Sequence, residues 1–238
     1  EGNDDYEPAV PASGPRIYGS VYGGGQDGHV RRGTNVTVNK GEIGLKYTPE
    51  NVNLLGDLTD SKGKDNLHWL HRGNVYGAGS GIGTYEVGTE SYNSSSAGSV
   101  THYTEVTIGK GIDGSENNVI YRNVYGGGSL ASVSPPILSE IFDPDDPDVP
   151  IGKKLYNKVT VAGTVGVLNG YVEKYGGEVY GASRGEAGLN PAWFANCVWT
   201  KVFIKNGAHI MNNVFGGGDA GTVQKDSEVF VGDRKVTP

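Results

Sequence analysis

One short phrase recurs five times along the chain: Val21-Tyr22-Gly23-Gly24-Gly25, Val75-Tyr76-Gly77-Ala78-Gly79, Val124-Tyr125-Gly126-Gly127-Gly128, Val179-Tyr180-Gly181-Ala182-Ser183 and Val214-Phe215-Gly216-Gly217-Gly218. Repetition of this kind points to a solenoid, a propeller or an array, because each unit is too small to bury its own apolar side chains and must stack on a neighbour. Asn precedes the Val in three copies, as Asn74, Asn123 and Asn213, and Ile17-Tyr18-Gly19 reads as a weaker copy ahead of the first. The phrase valines, at 21, 75, 124, 179 and 214, lie 54, 49, 55 and 35 residues apart. Propeller blades hold their length better than this, whereas a solenoid absorbs the spread as loops of unequal length on one face. Such insertions fall near residues 45–71, 80–99, 131–154 and 183–196.

A second element follows every phrase and alternates apolar with polar: Val36/Val38, Val106/Ile108, Val159/Val161, Val202/Ile204 and Val229/Val231, with Thr37, Thr107 and Thr160 inside three of the pairs. Period-two alternation belongs to a strand with one buried face, so all ten are expected in one continuous core. Short Gly-containing pieces with one apolar residue come next, around Ile43, Ile112, Val165 and Ile210. Three short strands per turn of chain give the expected fold: all-β, a right-handed parallel β-helix (solenoid) of about five coils with loop insertions. It occupies residues 16–238, after a leader or linker at 1–15. Gly fills 40 of 238 positions without a collagen-like period. In such a fold it allows positive φ at sharp corners and close approach of backbones stacked at about 4.8 Å.

Val, Ile and Tyr are prominent while Met occurs once, which suits narrow β-layers rather than packed helices. A formal net charge of −7 argues against nucleic acid or anionic lipid as a partner, since both demand a basic face. No apolar stretch is long enough for direct membrane insertion. The lone Cys197 excludes an intrachain disulfide, and its neighbours Val198 and Trp199 mark it as a small core residue. The start, Glu1-Gly2-Asn3-Asp4, reads as a processed or truncated terminus.

The phrase with its leading Asn resembles the glycine-rich repeat regions of large surface proteins of gut Bacteroidetes, parallel β-helices of a pectin-lyase-like or adhesin-like kind. The resemblance covers about residues 16–232. It implies an extracellular or outer-membrane-surface location, and a chain that is often part of a longer one. It carries no catalytic residue across.

Several motifs invite chemistry and have plainer explanations. Gly181-Ala182-Ser183-Arg184-Gly185 matches the G-x-S-x-G nucleophile elbow, yet it occupies the repeat phrase and no helix is signalled after it. His68 and His71 flank Trp69 at a spacing that suits a metal on a helical turn, but no third ligand is evident. Asp143, Asp145, Asp146 and Asp148 form an acidic run of the kind Ca²⁺ favours. Pro144, Pro147 and Pro150 hold that run extended, so a solvated loop is expected and no metal or other cofactor is assigned. Asp27 and Asp219 belong to opposite ends, and Arg31, Arg122 and Arg184 fall at unequal offsets. They do not converge as the carboxylates and base of a pectate-lyase-type site would. The glycine runs lack the Lys-Ser/Thr of a phosphate-binding loop.

If each phrase Val points inward, the next residue points outward, which sets Tyr22, Tyr76, Tyr125, Tyr180 and Phe215 in one stacked row. That row is the candidate ligand-binding site, a carbohydrate platform. The bland alternative is rings that stack on each other under a roof of insertions. At the other extreme, the last coil stops after Val229–Val231 and Lys235-Val236-Thr237-Pro238 with no cap in view. The chain is therefore expected to continue into something longer, or to present an edge to a protein partner or to itself. The expected function is a non-enzymatic cell-surface or secreted repeat module, an adhesin-like stalk or spacer touching a partner or glycan through its loops. The alternative is a polysaccharide-acting β-helix enzyme, a lyase or glycoside hydrolase.

Overall fold

A computed structural model describes residues 14–45, 72–81, 85–87, 89–92, 96–109, 118–134, 155–166, 176–189 and 194–232. The chain folds as a parallel β-helix built from three five-stranded parallel sheets. The first joins the short strands Arg16–Ile17, Gly41–Ile43, Asn118–Ile120, Thr164–Val165 and His209–Ile210. The second joins the phrase strands Val21–Tyr22, Val75–Tyr76, Val124–Tyr125, Val179–Tyr180 and Val214–Phe215. The third joins the long strands Gly33–Val38, Tyr103–Ile108, Tyr156–Val161, Trp199–Ile204 and Ser227–Val231. The backbone visits the phrase, long and short sheets in turn and then rises one level. Like therefore sits on like: Val21, Val75, Val124, Val179 and Val214 form one column, and Val36, Val106, Val159, Val202 and Val229 another. Within the 80–99 insertion, Tyr85–Val87 and Glu90–Tyr92 pair as an antiparallel hairpin.

Register revises two expectations. Ile17 pairs with Ile43, so Ile17-Tyr18-Gly19 continues the short-strand column and is no copy of the phrase. That column then runs through Ile120, not Ile112; residue 112 lies outside the described residues. Two-residue strands carry no periodicity, and only pairing with the levels above and below fixes their alignment.

The long-strand residues Val36, Val38, Val106, Ile108, Val159, Val161, Val202 and Ile204 are buried in one core with the phrase valines Val75, Val124 and Val179 and with Ile43, Ile120 and Val165, and the partly buried Val21 and Val214 pack against it. Val229 and Val231 stand in register above Val202 and Ile204, yet they are 42% and 79% exposed. The expectation that all ten are buried fails at this last level, where no described strand lies over them. A second core was not foreseen. Val30, Val100 and Val133 make parallel bridges, the Val133 N–H donates to the Asn196 carbonyl at 2.8 Å, and Cys197 pairs with Val223. Ala78 and Ala182, from the middle of their phrases, pack against this column, so Cys197 occupies a valine's place.

The first glycine of the phrase is required by proximity rather than by conformation. Positive φ occurs at corners such as Gly109 and Gly232, and at no phrase glycine. A Cβ added to Gly23, Gly77, Gly126 or Gly181 would instead sit 2.1 Å from the carbonyl oxygen of the equivalent glycine one level up. That carbonyl is also gripped from the side: the hydroxyls of Thr34, Thr104 and Thr200 donate to the carbonyls of Gly77, Gly126 and Gly216 at 2.5, 2.5 and 2.6 Å. Asn157 takes the Thr position in the third long strand. It is fully buried, and neither of its amide atoms has a partner.

Gly126→Ala should destabilise the protein by about 3 kcal/mol, since a methyl group forced against backbone has no rotamer to escape into. Gly217→Ala, with nothing within 4 Å of the added carbon, should be neutral or stabilising by about 0.5 kcal/mol through the unfolded chain. Urea denaturation of both checks the pair. Asn157→Thr should raise stability by about 1 kcal/mol, because it restores the missing hydroxyl and removes an unsatisfied buried amide. A melting temperature at or below wild type would show that Asn157 is held by something else.

Candidate functional site

The five rings expected to line up do so. Tyr22, Tyr76, Tyr125, Tyr180 and Phe215 stack with successive centroid separations of 4.8, 4.9, 4.9 and 5.0 Å and interplanar angles of 7, 9, 2 and 14°. Tyr76, Tyr125 and Tyr180 each turn one face to the ring below and the other to the ring above, while Tyr22 and Phe215 end the column with one neighbour each. The central three are buried and Tyr22 is half-buried, while Phe215 is exposed at the end of the column. A sugar stacks on an open aromatic face, and between levels the faces are already taken by neighbouring rings. The outer face of Phe215 is the open one at the C-terminal end.

A polar column holds the rings at their edges. Ser20 Oγ accepts the Asn74 N–H at 3.1 Å, Asn74 Oδ1 accepts the Asn123 N–H at 3.0 Å, and Asn123 Oδ1 accepts the Glu178 N–H at 3.0 Å. Asn74 and Asn123 thus each satisfy a backbone donor of the next level, which gives the leading Asn a physical role at these two levels. Asn213, in the last level, instead donates to Glu178 and Asn212. The same side chains reach the phenols: Asn123 Nδ2 donates to the Tyr125 hydroxyl at 3.1 Å, and the Tyr180 hydroxyl donates to Glu178 Oε2 at 2.6 Å. Burial holds the phenols of Tyr76, Tyr125 and Tyr180 above the usual tyrosine value, and at Tyr180 the bond to Glu178 adds to it. Burial also raises the Asp219 carboxyl, which the Arg184 guanidinium pulls down and Glu178 pushes further up.

Ser183 is fully buried. Its hydroxyl accepts the Gly128 N–H at 3.1 Å and donates to the Ala131 carbonyl at 2.9 Å, so it joins two levels and has no access to a substrate. Burial pushes the Cys197 thiol up to about 12, and a thiol that stays protonated is no nucleophile. Arg122 is buried with Nη1 on the Tyr121 carbonyl at 3.1 Å, whereas Arg184 Nη1 donates to Ser129 Oγ at 3.2 Å. These two arginines therefore do not converge. Among the described residues no three His, Cys, Asp or Glu side chains gather as a metal site would require. His68, His71, Asp143, Asp145, Asp146 and Asp148 lie outside the described residues. No helix among the described residues is long and apolar enough to cross a membrane.

The outer side of the long sheet carries further columns that the sequence reading did not single out. Tyr103 and Tyr156 stack at 5.4 Å and Phe203 and Phe230 at 5.0 Å. Between these columns run ion pairs, Glu105 with Lys158 at 3.7 Å and Lys201 with Glu228 at 2.9 Å, and the Tyr156 hydroxyl donates to Glu105 at 2.7 Å. Pairs this exposed contribute well under about 1 kcal/mol each. This face of stacked rings and matched charges ties neighbouring levels together. No family model matches the chain, and neither a curated protein nor a solved structure is significantly similar to it.

Two measurements test the ring column. Tyr125→Ala should cost about 3–5 kcal/mol, while Tyr125→Phe, which keeps the stack and loses one hydrogen bond, should cost about 1 kcal/mol. The second concerns pH. Above about pH 10 the unfolded chain ionises its tyrosines, while the folded chain holds their protons, so stability should fall as pH rises beyond that point. Replacing Tyr76, Tyr125 and Tyr180 together by Phe should flatten the decline, read by urea titrations at about pH 8 and about pH 11.

Proposed function

We propose that this chain is a non-enzymatic, surface-exposed or secreted repeat module, a stalk or spacer that holds its loops and ends at a set distance. The observation that carries this reading is the engagement of every residue of the phrase in contact between levels. Val fills the core, Tyr stacks, the first Gly admits the neighbouring carbonyl, and Asn caps the next backbone N–H. A repeat whose side chains bind one another supplies length and stiffness. Partner or glycan contact then falls to the insertions and the ends, which vary where the levels do not.

A spacer tolerates a change in the number of levels, whereas an enzyme with a site built across levels does not. Duplicating residues 75–123, one level whose phrase carries no side chain that demands glycine beneath it, should therefore yield a folded protein longer by about 4.8 Å in small-angle scattering, with no loss of melting temperature. Purified protein incubated with a panel of acidic and neutral polysaccharides should release no new reducing ends. Chain cleavage that disappears on duplication would replace this reading with a lyase or glycosidase. Loss of the protein from intact cells on brief protease treatment tests the surface location.

A further inference from the structure

The two ends of the β-helix differ in shape. At the N-terminal end, Pro15, Ile17, Val21, Val36, Val38 and Ile43 line an apolar cavity of about 530 Å³. At the C-terminal end the last members of the same columns stand out: Ile210 and Val214 are half-buried, and Val229, Val231 and Phe215 are exposed. One end is hollow where the other projects. Each internal junction already joins these columns, Ile43 to Ile120, Val21 to Val75, Val36 to Val106 and Tyr22 to Tyr76.

Charge agrees with shape. Residues 14–45 carry Arg16, Arg31, Arg32 and Lys40 against Asp27 and Glu42, a net +2. Residues 206–232 carry Asp219, Asp226 and Glu228 against Lys225, a net −2 with His neutral.

We infer that the occupant of the C-terminal end is the N-terminal end of a second copy of this chain, stacked head to tail so that the columns run on across the junction. Ile210 meets Ile17, Val214 and Phe215 meet Val21 and Tyr22, and Val229 and Val231 meet Val36 and Val38. The long strands Ser227–Val231 and Gly33–Val38 pair in parallel, as they do between internal levels. The contact is heterologous, with different surfaces on the two partners, so it propagates into open-ended chains instead of closing as a dimer. The partner named here deepens the spacer reading, which the duplication experiment tests separately: a module that fails to stack still spaces.

The test blocks one end at a time. Val229→Lys with Val231→Lys places two charges on the C-terminal end, and Ile17→Lys with Tyr18→Lys does the same at the N-terminal end, where both residues are exposed. By sedimentation velocity the wild-type mass should rise with concentration by more than about twofold, passing through dimers to longer species. Each blocked variant alone should remain monomeric, and an equimolar mixture of the two should stop at about twofold, since it retains one free end of each kind. Circular dichroism checks that each variant keeps its β-sheet; if the C-terminal pair unfolds, Val231→Lys alone replaces it. A wild-type chain that stays monomeric throughout overturns the inference. So does an N-terminally blocked variant that still dimerises alone, which would mean that C-terminal ends pair with each other, and so does a mixture of blocked variants that remains monomeric.

Discussion

The contact on which the rest depends is the approach of one glycine to the next across levels, at a distance that leaves no room for a Cβ. Bringing the backbones that close sets the spacing at which rings of neighbouring phrases stack at 4.8 to 5.0 Å. It also brings the carbonyl within reach of the threonine hydroxyl beside it. Columns of Val and Ile then fill the core, because like side chains meet at each step. The absence of a side chain at one position thus organises the aromatic, polar and aliphatic columns together.

Much of this was legible from residues alone, and the limits of legibility have physical causes. The long strands announce themselves because six residues suffice to show period two, as in Gly33–Val38 and Tyr156–Val161. The phrase strands are two residues long and were found by recurrence, not by periodicity. The short strands have neither signal, which is why the sequence points to Ile112 where the column runs through Ile120 and why Ile17-Tyr18-Gly19 reads as a weaker phrase. The column through Val30, Val100, Val133, Cys197 and Val223 is one residue wide at most levels. Its trace in the sequence is a lone Val or Cys two to four residues ahead of the long strand at four levels, whereas Val133 precedes Tyr156 by 23 residues, so the column is visible only once the levels are aligned.

The candidate site illustrates a different limit. Alternation placed Tyr22, Tyr76, Tyr125, Tyr180 and Phe215 in one row, and the row is there. What alternation cannot give is ring orientation, which follows from the level spacing: rings less than 5.5 Å apart lie face to face and present edges outward. Burial of the central tyrosines came from contacts spread over 49 and 55 residues of chain, beyond the range of any local pattern.

Like on like also creates an ambiguity that the chain must resolve while folding. Any phrase fits above any other, so a nascent β-helix can skip a level and still form good contacts. Only the departures from the pattern tell one level from another. Ser183 is such a departure: its hydroxyl occupies the space where a Cβ on Gly127 would lie 2.1 Å away. It can settle only over a phrase with glycine in the middle, and Ala78 offers no such room. Glu178 in the asparagine column and Asn157 in the threonine column distinguish their levels in the same way. The irregular residues of a regular protein are then its addressing system, fixing the order in which otherwise interchangeable coils are laid down.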